Sequence, residues 1–264
     1  MSTQNDRAIY FRSLHRPGNP IVLSNIYDGA TASYIAAHAS TKAIATASYA
    51  IAASQGVADE SLTLSQNLAS VRTIASVVAA TSPQLPLTVD AQDGYEDVAQ
   101  TVREIIALGA VGCNIEDFDN RAGTLRSLPD AVARIRTAVQ AAKDAGVPDF
   151  VINARTDILG PAGTGVIADA IQRGQAFLEA GACTVFVWGG PGGRGVSGAE
   201  VRELVAALGG RVNVKLNLAE GSLTVAELKQ IGVARISLGP ELWRAAMGAF
   251  RETADRLLAG VSYD

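Results

Sequence analysis

The sequence predicts a single-domain (β/α)8 barrel of the TIM type, in which helices surround a closed parallel sheet. Three observations favour this fold class. The chain has 264 residues, and single barrels of this kind commonly run to about 250 residues. Hydrophobic residues make up 48% of the chain and aromatic residues only 5%, a mix suited to packing helices on a sheet. Short β-prone runs also alternate with longer helical segments, with no linker between them. A doubly wound open sheet is the alternative.

The strand predictions depend on short, nearly continuous apolar runs, which are typical of strands buried on both faces. In chain order, the strands are predicted at 20–26, 42–48, 85–90, 111–116, 150–155, 184–188, 212–216 and 234–238. The helices that follow them are predicted at 28–38, 65–80, 95–108, 128–145, 162–180, 198–208, 224–231 and 240–258. A glycine often ends a helix, and five predicted helices are followed by Gly109, Gly146, Gly181, Gly209 and Gly232. Within a single domain of residues 1–264, residues 1–19 form an N-terminal arm and residues 240–264 the last helix.

Composition excludes several classes of partner and compartment. The 22 basic and 26 acidic residues give a net charge of −4 without a basic stripe, so we expect no nucleic-acid partner. No apolar run approaches the roughly 20 residues of a membrane span, and the polar N-terminus predicts a cytoplasmic protein, with a weak organelle signal left open. Cys113 and Cys183 lie in apolar stretches without a CxxC spacing, which predicts buried reduced thiols.

The chemistry of such a barrel lies at the carboxyl ends of its strands. Those ends carry many acids, one arginine and no histidine: Asp28, Ser48, Tyr49, Asp90, Gln92, Asp93, Glu116, Asp117, Arg155, Asp157, Trp188, Asn217 and Ser237. Both histidines, His15 and His38, lie elsewhere, which excludes a histidine-containing zinc site and a Ser-His-Asp hydrolase site.

Oxygen ligation remains possible at these strand ends. Asp90 and Glu116 end adjacent predicted strands, so their carboxylates can converge on one cation, and hard oxygen ligands with retained waters suit Mg²⁺. Alternatively, these acids cap helices or pair with nearby bases. Arg155 can clamp a carboxylate or phosphate in a bidentate fork, or it forms a structural ion pair with Asp157 or Glu116.

Two glycine-containing loops are candidates for anion contact. The run at 189–195 matches neither a Walker A nor a GxGxxG pattern, and it is either a phosphate cradle or a flexible loop. The turn at 238–240, before the last predicted helix, is the better candidate, because barrels often bind phosphate there.

Six segments in order resemble the isocitrate lyase/phosphoenolpyruvate mutase superfamily over nearly the full chain. They are Asn-Ile-Tyr-Asp-Gly-Ala at 25–30, Ala-Thr-Ala-Ser-Tyr at 45–49 with Gly-Val-Ala-Asp at 56–59, Val-Asp-Ala-Gln-Asp-Gly-Tyr at 89–95, Gly-Cys-Asn-Ile-Glu-Asp at 112–117, Ile-Asn-Ala-Arg-Thr-Asp at 152–157 and Gly-Val-Ala-Arg-Ile-Ser-Leu-Gly-Pro at 232–240. Each segment alone is weak evidence, whereas six in the family's order and spacing are strong evidence.

The resemblance implies a role for each matching residue. It makes Asp90 a direct Mg²⁺ ligand, Glu116 an acid that holds the metal through water, and Arg155 a catalytic residue that contacts substrate. Ser48 and Tyr49 fall where backbone amides hold the substrate carboxylate, and Asp59 matches an acid on the loop after strand two. Tyr49 and Asp59 are the candidate acid or base groups, while Trp188 and Asn217 are further substrate-binding candidates at their strand ends.

This chain also departs from the family at informative positions. Gln92 stands in place of an acid of the family's Asp-Ala-Asp-Thr-Gly-Tyr segment; it can still hold a metal-bound water, with one negative charge fewer. The loop at 118–126 lacks both the Lys-Lys-Cys-Gly-His of the lyases and the Lys-Thr-Asn-Ser of the mutases. Trp188 replaces the family's histidine after strand six. Isocitrate lyase, methylisocitrate lyase and phosphonate activities are therefore all in question.

Three functions remain open. The first is a Mg²⁺-dependent carbon–carbon lyase or decarboxylase that acts on a small 2-oxo or 2-hydroxy acid through an enolate-like intermediate. The second is phosphonate chemistry of the phosphoenolpyruvate mutase or phosphonopyruvate hydrolase kind, with Arg121, Thr124 and Arg126 contacting the phosphonate. The third is a barrel that binds an oxo acid without turnover.

The resemblance also predicts a homo-oligomer, either a dimer or a tetramer. Family members commonly exchange a C-terminal helix between subunits, and the apolar stretch at 242–258 suits this role. The same pattern also fits a last barrel helix that packs within its own chain.

Overall fold

Parallel strands form a closed barrel in the computed structural model, which describes residues 3–81, 83–160, 165–190 and 195–260. In barrel order the strands are β1 (Ile21–Leu23 continued by Asn25–Ile26), β2 (Ile44–Thr46), β3 (Leu87–Asp90), β4 (Gly112–Glu116), β5 (Val151–Thr156), β6 (Thr184–Val187), β7 (Val212–Lys215) and β8 (Arg235–Ser237). All eight predicted strands are present, and the predicted fold class is confirmed.

The ring closes through the first strand, which is divided at Ser24. Its first piece pairs with β8, with Ile21 opposite Arg235, and its second piece pairs with β2, with Asn25 opposite Ala45. Every pair between neighbouring strands is parallel. The closed parallel order rules out the doubly wound open sheet, because such a sheet would leave two free edges.

The helices are α1 (Gln4–Ser13), α2 (Gly29–Ala37), α3 (Ser48–Ser54), α4 (Leu64–Ala79), α5 (Val98–Ala107), α6 (Leu128–Asp144), α7 (Ile167–Glu179), α8 (Gly198–Ala207), α9 (Val225–Ile231) and α10 (Glu241–Leu258). Eight of them match the predicted helices within a few residues. Residues 161–164, near the predicted start of α7, lie outside the described residues.

Helix α1 lies within the segment predicted only as an arm. Thr3 and Asp6 form a capping box at its start, which satisfies backbone N–H groups that would otherwise lack partners. The side chain of Phe11 is fully buried, and Arg12 donates to the carbonyl oxygens of Asp149 and Phe150, just before β5. Helix α1 therefore packs against the N-terminal end of the barrel.

Two loop segments at the opposite end of the barrel contain elements that were not predicted. Helix α3 and a 3-10 turn at Asp59–Ser61 occupy the long connection after β2. A short antiparallel hairpin joins Phe118–Asp119 to Thr124–Leu125 in the polar loop after β4. Both segments rise at the carboxyl ends of the strands, where a barrel holds its chemistry.

The apolar core lies between the strands and the helices, where Val71, Ile105, Ile135, Phe177 and Leu204 are buried. Cys113 and Cys183 are free and buried. Their burial raises the pKa of both thiols, which fits the predicted inert, reduced state. Across the described part of the chain, no helix is both long and apolar enough to cross a membrane.

Candidate active site

A cavity of about 560 Å³ opens at the carboxyl ends of the barrel strands. Seven of the nine predicted site residues line it: Ser48, Tyr49, Asp59, Asp90, Arg155, Trp188 and Asn217. The other two, Gln92 and Glu116, are buried and contact lining residues, as Gln92 bonds Asp59 and Glu116 bonds Arg155. The fold therefore gathers the nine predicted residues in one place.

Asp90 ends β3 and is held from three sides. Its Oδ2 accepts a hydrogen bond from the backbone N–H of Ser48 at 3.1 Å. Its own N–H donates to Thr46 Oγ1 at 2.9 Å, and its carbonyl oxygen accepts from Asn67 Nδ2 at 3.0 Å. The Ser48 amide, predicted to hold the substrate carboxylate, here holds the Asp90 carboxylate instead, so Asp90 is presented to the cavity in a fixed position.

The turn after Asp90 has a strained backbone. Gln92 and Tyr95 adopt positive φ angles of 50° and 57°, which side chains other than glycine rarely adopt and which concentrate at functional sites. Between them, Gly94 has a φ of +85°, and a Cβ there would approach Val98 to 2.7 Å. Arg134 fastens the turn by donating to the carbonyl oxygens of Asp93 and Tyr95, both at 2.7 Å.

Asp59 reaches the cavity from the 3-10 turn after α3. The Gln92 amide donates to its carbonyl oxygen at 2.6 Å and to its Oδ1 at 3.0 Å. Burial, followed by the charge of Asp90, raises the pKa of Asp59 to about 6. In this structure Gln92 therefore secures the loop that carries Asp59.

Arg155 ends β5 between two acids. Its Nε and one Nη donate to both oxygens of Asp157 at 2.6 and 2.7 Å, and the other Nη lies 2.8 Å from Glu116 Oε2. Burial raises the pKa of Glu116 well above its ordinary value, although the Arg155 charge opposes this. Both structural ion pairs considered from the sequence are present, and Arg155 still lines the cavity.

Aromatic rings complete two walls. The Arg155 guanidinium lies 4.8 Å from the centre of the Trp188 ring and 5.8 Å from that of Phe186, distances typical of cation–π contact. Tyr49 packs edge-to-face on Trp243 of α10, and Arg244 lies 5.3 Å from the Tyr49 ring. Trp188 thus supports Arg155 directly, and α10 covers one side of Tyr49.

A basic wall, not predicted from the sequence, faces the acids. Lys215 of β7 and Arg244 of α10 both contact one carboxylate, Glu241, at 2.6 and 3.0 Å. Strand β7 lies four strands from β3 in the eight-stranded ring, so this wall is opposite Asp90. Asn217, predicted to bind substrate, accepts from the N–H of Ala219 in its own loop. The signal in the sequence for this basic wall was Lys215, a lysine at the end of a buried strand.

The groups considered for phosphonate contact are used elsewhere. Arg126 bonds Asp93 and Asp119 at 2.8 and 2.9 Å, and the exposed Arg121 pairs with Glu96. Arg121, Thr124 and Arg126 are not among the residues lining the cavity. These contacts hold the hairpin, and the neighbouring Asp117 is held in turn by Arg173 at 2.9 Å.

The structure describes only part of the glycine-containing loop at 189–195 but all of the turn at 238–240. Residues 191–194 lie outside the described residues, so a phosphate cradle at 189–195 stays a prediction. In the other loop, Gly239 and Pro240 line the cavity, and the N–H groups of Leu238 and Gly239 both donate to Asn25 Oδ1 at 2.9 Å. The amides of this turn are therefore occupied by the protein itself.

The donor groups of Asp90, Asp59, Glu116 and Gln92, here called the acidic wall, fit Mg²⁺. Within the described ranges, no three His, Cys, Asp or Glu side chains come close enough to form a cage. Mg²⁺ does not need one, because it commonly takes one or two carboxylates and keeps several waters. Burial, together with the Asp90 charge, raises the pKa values of Asp59 and Glu116, so these carboxylates lie close enough to repel one another. Asp90 would hold the ion directly, and Glu116 and Gln92 would bond its waters.

Sequence comparison gives a consistent set of relatives. The family described as Phosphoenolpyruvate phosphomutase matches residues 11–258. Protein Rv1998c of Mycobacterium tuberculosis H37Rv is 32% identical over 251 residues, which are 92% of this chain and 87% of that protein. The 2-methylisocitrate lyase of Escherichia coli K12 is 37% identical over 197 residues, covering 66% of this chain and 62% of the lyase.

Solved structures agree with the sequence comparison. A 2,3-dimethylmalate lyase is 30% identical with a TM-score of 0.81, covering 97% of this chain and 88% of the lyase. An oxaloacetate acetylhydrolase in complex with its product oxalate is 27% identical with a TM-score of 0.83, covering 98% of this chain and 90% of the hydrolase. The similarity extends along nearly the whole barrel, including the strands that carry the candidate site.

Proposed function

Since the chain belongs to the isocitrate lyase/phosphoenolpyruvate mutase superfamily and is an enzyme of its lyase type, we propose that it cleaves a carbon–carbon bond in a small 2-oxo or 2-hydroxy acid with Mg²⁺ bound. One observation carries this proposal. Asp90, its acidic neighbour Asp59 and the cation Arg155 line the same cavity. Metal-ligand oxygens beside a guanidinium suit the adjacent oxo and carboxylate oxygens of such an acid.

Each residue has a distinct part in this proposal. Asp90 would hold the ion, and Glu116 and Gln92 would bond its waters. Mg²⁺ would stabilise the negative charge that develops on the oxo-acid oxygen during cleavage. Arg155 contacts the carboxylate, oriented by Asp157 and by the Trp188 ring. Ser48, Tyr49 and Asn217 bind the substrate at the rim. Asp59 or Tyr49 serves as the acid or base that gives a proton to the substrate or takes one from it.

Phosphonate chemistry is the weaker candidate. A phosphonate carries more negative charge than a carboxylate and needs several cationic or amide donors. Arg121 and Arg126, the groups considered for it, pair with acids outside the cavity. The basic pair Lys215 and Arg244 does line the cavity, and it is the one observation that favours a doubly charged substrate end.

Mg²⁺-dependent binding of oxalate, which mimics a pyruvate enolate, tests this proposal. A ligand that binds only the folded state raises the melting temperature by mass action. Oxalate at about a hundred times its Kd stabilises by about 2.7 kcal/mol, so we expect a clear shift for the natural chain with Mg²⁺ and none with EDTA. Asp90→Asn removes the direct metal ligand and abolishes the shift.

Asp28→Asn is the matched control. Asp28 also follows a barrel strand, but it caps α2 by accepting from the N–H of Thr31, and asparagine caps a helix about as well as aspartate. This variant should keep the full oxalate shift. A shift that survives in Asp90→Asn, or one that does not need Mg²⁺, would contradict the assignment of the metal ligand.

The proposal extends to assembly as a homo-oligomer, a dimer or a tetramer, with α10 exchanged or shared between copies. None of the eighteen residues of α10, all of them described, is buried. Phe250, Leu257 and Leu258 are exposed. Light scattering should give a mass above that of the 27.3 kDa chain, and Phe250→Glu together with Leu257→Glu should lower it, because charges on an apolar interface oppose association.

A further inference from the structure

The inner end of the cavity carries a side-chain amide whose orientation is fixed by residues deeper in the barrel. Asn114 of β4 lines the cavity and lies opposite Asp90 in the register of β3 and β4. Its Oδ1 accepts two hydrogen bonds, from Asn153 Nδ2 at 2.9 Å and from Arg235 Nη2 at 3.2 Å. Both bonds come from barrel-interior side chains, so Oδ1 faces away from the cavity.

Arg235 sets the direction of this small network. A guanidinium can only donate, so the Asn114 atom that faces Arg235 must be its oxygen. Asn153 must then present its NH₂ group to the same oxygen, and its own Oδ1 accepts from Thr184 Oγ1 at 2.6 Å. One buried cation thus decides the orientation of two amides that would otherwise be free to flip.

The other end of the Asn114 side chain is left available. With Oδ1 engaged twice, Asn114 Nδ2 carries two N–H donors, and it makes no hydrogen bond to any residue in the described ranges. We infer that Asn114 is a substrate-contacting donor, whose NH₂ group binds an oxygen of the oxo acid beside Asp90, and that Arg235 is its positioning residue. This inference rests on the proposed function and adds a specificity element: an acceptor oxygen is required deep in the cavity.

The buried charge of Arg235 supports the same role. Arg235 is 1% exposed, and its Nε and Nη1 have no hydrogen-bond partner. A charge this deep is costly without a partner, and no described acid forms an ion pair with it. It lies below the acidic wall, where its positive field favours an anionic ligand.

Asn114→Asp tests the inference with the least change of shape. Aspartate still accepts from Arg235 and Asn153, but the group that faces the cavity becomes a negatively charged acceptor. We expect oxalate affinity in Mg²⁺, measured by calorimetry, to fall about tenfold or more, while the melting temperature stays unchanged or rises through the new ion pair with Arg235. Titration with Mg²⁺ alone separates any change in metal affinity.

Arg235→Met tests the positioning role. The Asn114 amide can then turn over, so oxalate should bind a few-fold more weakly to the folded variant, whereas a merely structural Arg235 would alter the melting temperature and leave the affinity unchanged. Suppose that the natural chain binds oxalate only with Mg²⁺ and that Asn114→Asp binds it with the same affinity. This inference would then be overturned, while the proposed function would stand. Failure of the natural chain to bind oxalate would overturn the proposed function and this inference together.

Discussion

The two ends of the barrel bury charge in opposite ways. At the mouth, Arg155 is surrounded by carboxylates, with Asp157 at 2.6 Å and Glu116 at 2.8 Å, and Arg155 itself lines the cavity. At the N-terminal floor, Arg235 is buried without an ion-pair partner among the described residues. Its charge acts on His15, whose ring packs edge-to-face on the fully buried Phe11 of α1. Paired charges beside a cavity suit ligand binding, whereas the residues of the closed floor, apart from Arg235, stabilise the fold by packing.

This difference separates function from stability along the barrel axis. Residues that line the cavity at the carboxyl ends of the strands should affect binding more than folding, and residues near the floor other than Arg235 should do the reverse. The amide pair Asn153 and Asn114 joins the two ends, because it connects Arg235 to the inner end of the cavity. Substitutions at each end therefore test the separation.

The largest effect is expected at the floor, for Phe11→Ala. The variant leaves a cavity under the barrel, and truncation of a buried phenylalanine typically costs about 3–5 kcal/mol of unfolding free energy. Urea denaturation measures that loss, and calorimetry on the folded variant should give the natural affinity for oxalate. A large change in affinity would show that the two ends are not separate.

A smaller effect is expected for Arg126→Met at the mouth. The variant leaves the carboxylates of Asp93 and Asp119 without their shared partner, and Asp93 is nearly buried. We expect a loss of about 2 kcal/mol, less than for a fully buried ion pair because Arg126 is partly exposed. The matched control is Arg121→Met on the same hairpin, whose pair with Glu96 is exposed and should contribute less than about 0.5 kcal/mol. Equal losses in urea denaturation would contradict the account of what holds the hairpin.

The smallest effect is a dependence of stability on pH that arises at the floor. Burial lowers the pKa of His15 to about 3, and the charges of Arg235 and Arg12 contribute. Because the folded pKa lies below the unfolded value of about 6.5, the unfolded chain binds a proton that the folded chain does not. His15 therefore costs no stability above about pH 6.5, and stability falls as the pH drops toward 3.

Comparison of the natural chain with His15→Gln isolates this contribution. Between pH 7.5 and pH 5 the natural chain should lose about 1–2 kcal/mol more unfolding free energy than the variant. Urea denaturation at both pH values measures the difference. A variant that loses as much as the natural chain would show that His15 is protonated with little cost in the folded state.

The barrel was predictable from the sequence because its signals are local. Apolar runs such as Val-Phe-Val at 185–187 mark a strand wherever they occur, and Gly109 or Gly232 ends a helix through its own backbone. Helix α1 was missed since its sequence has no apolar stripe, and its one large anchor, Phe11, gains its role only when the floor of the barrel is present.

The sequence predicted which residues form the site better than it predicted the contacts between them. Strand ends converge in any barrel, so Asp90, Glu116 and Arg155 could be grouped from the chain alone. The bond from Gln92 to Asp59 depends on how the loop after β2 folds back, which no local pattern encodes. Asn114 and Arg235 were not predicted as site residues, because their contact joins β4 to β8 across 121 residues.

Turnover of oxaloacetate and phosphonopyruvate, followed by proton and phosphorus NMR, distinguishes carbon–carbon lyase activity from phosphonate chemistry. We expect Mg²⁺-dependent conversion of a small oxo acid such as oxaloacetate, with cleavage of a carbon–carbon bond, loss of that activity in Asp90→Asn and its retention in Asp28→Asn. Cleavage or migration of the carbon–phosphorus bond in phosphonopyruvate, without carbon–carbon cleavage in oxaloacetate or a wider panel of oxo and hydroxy acids, would contradict it.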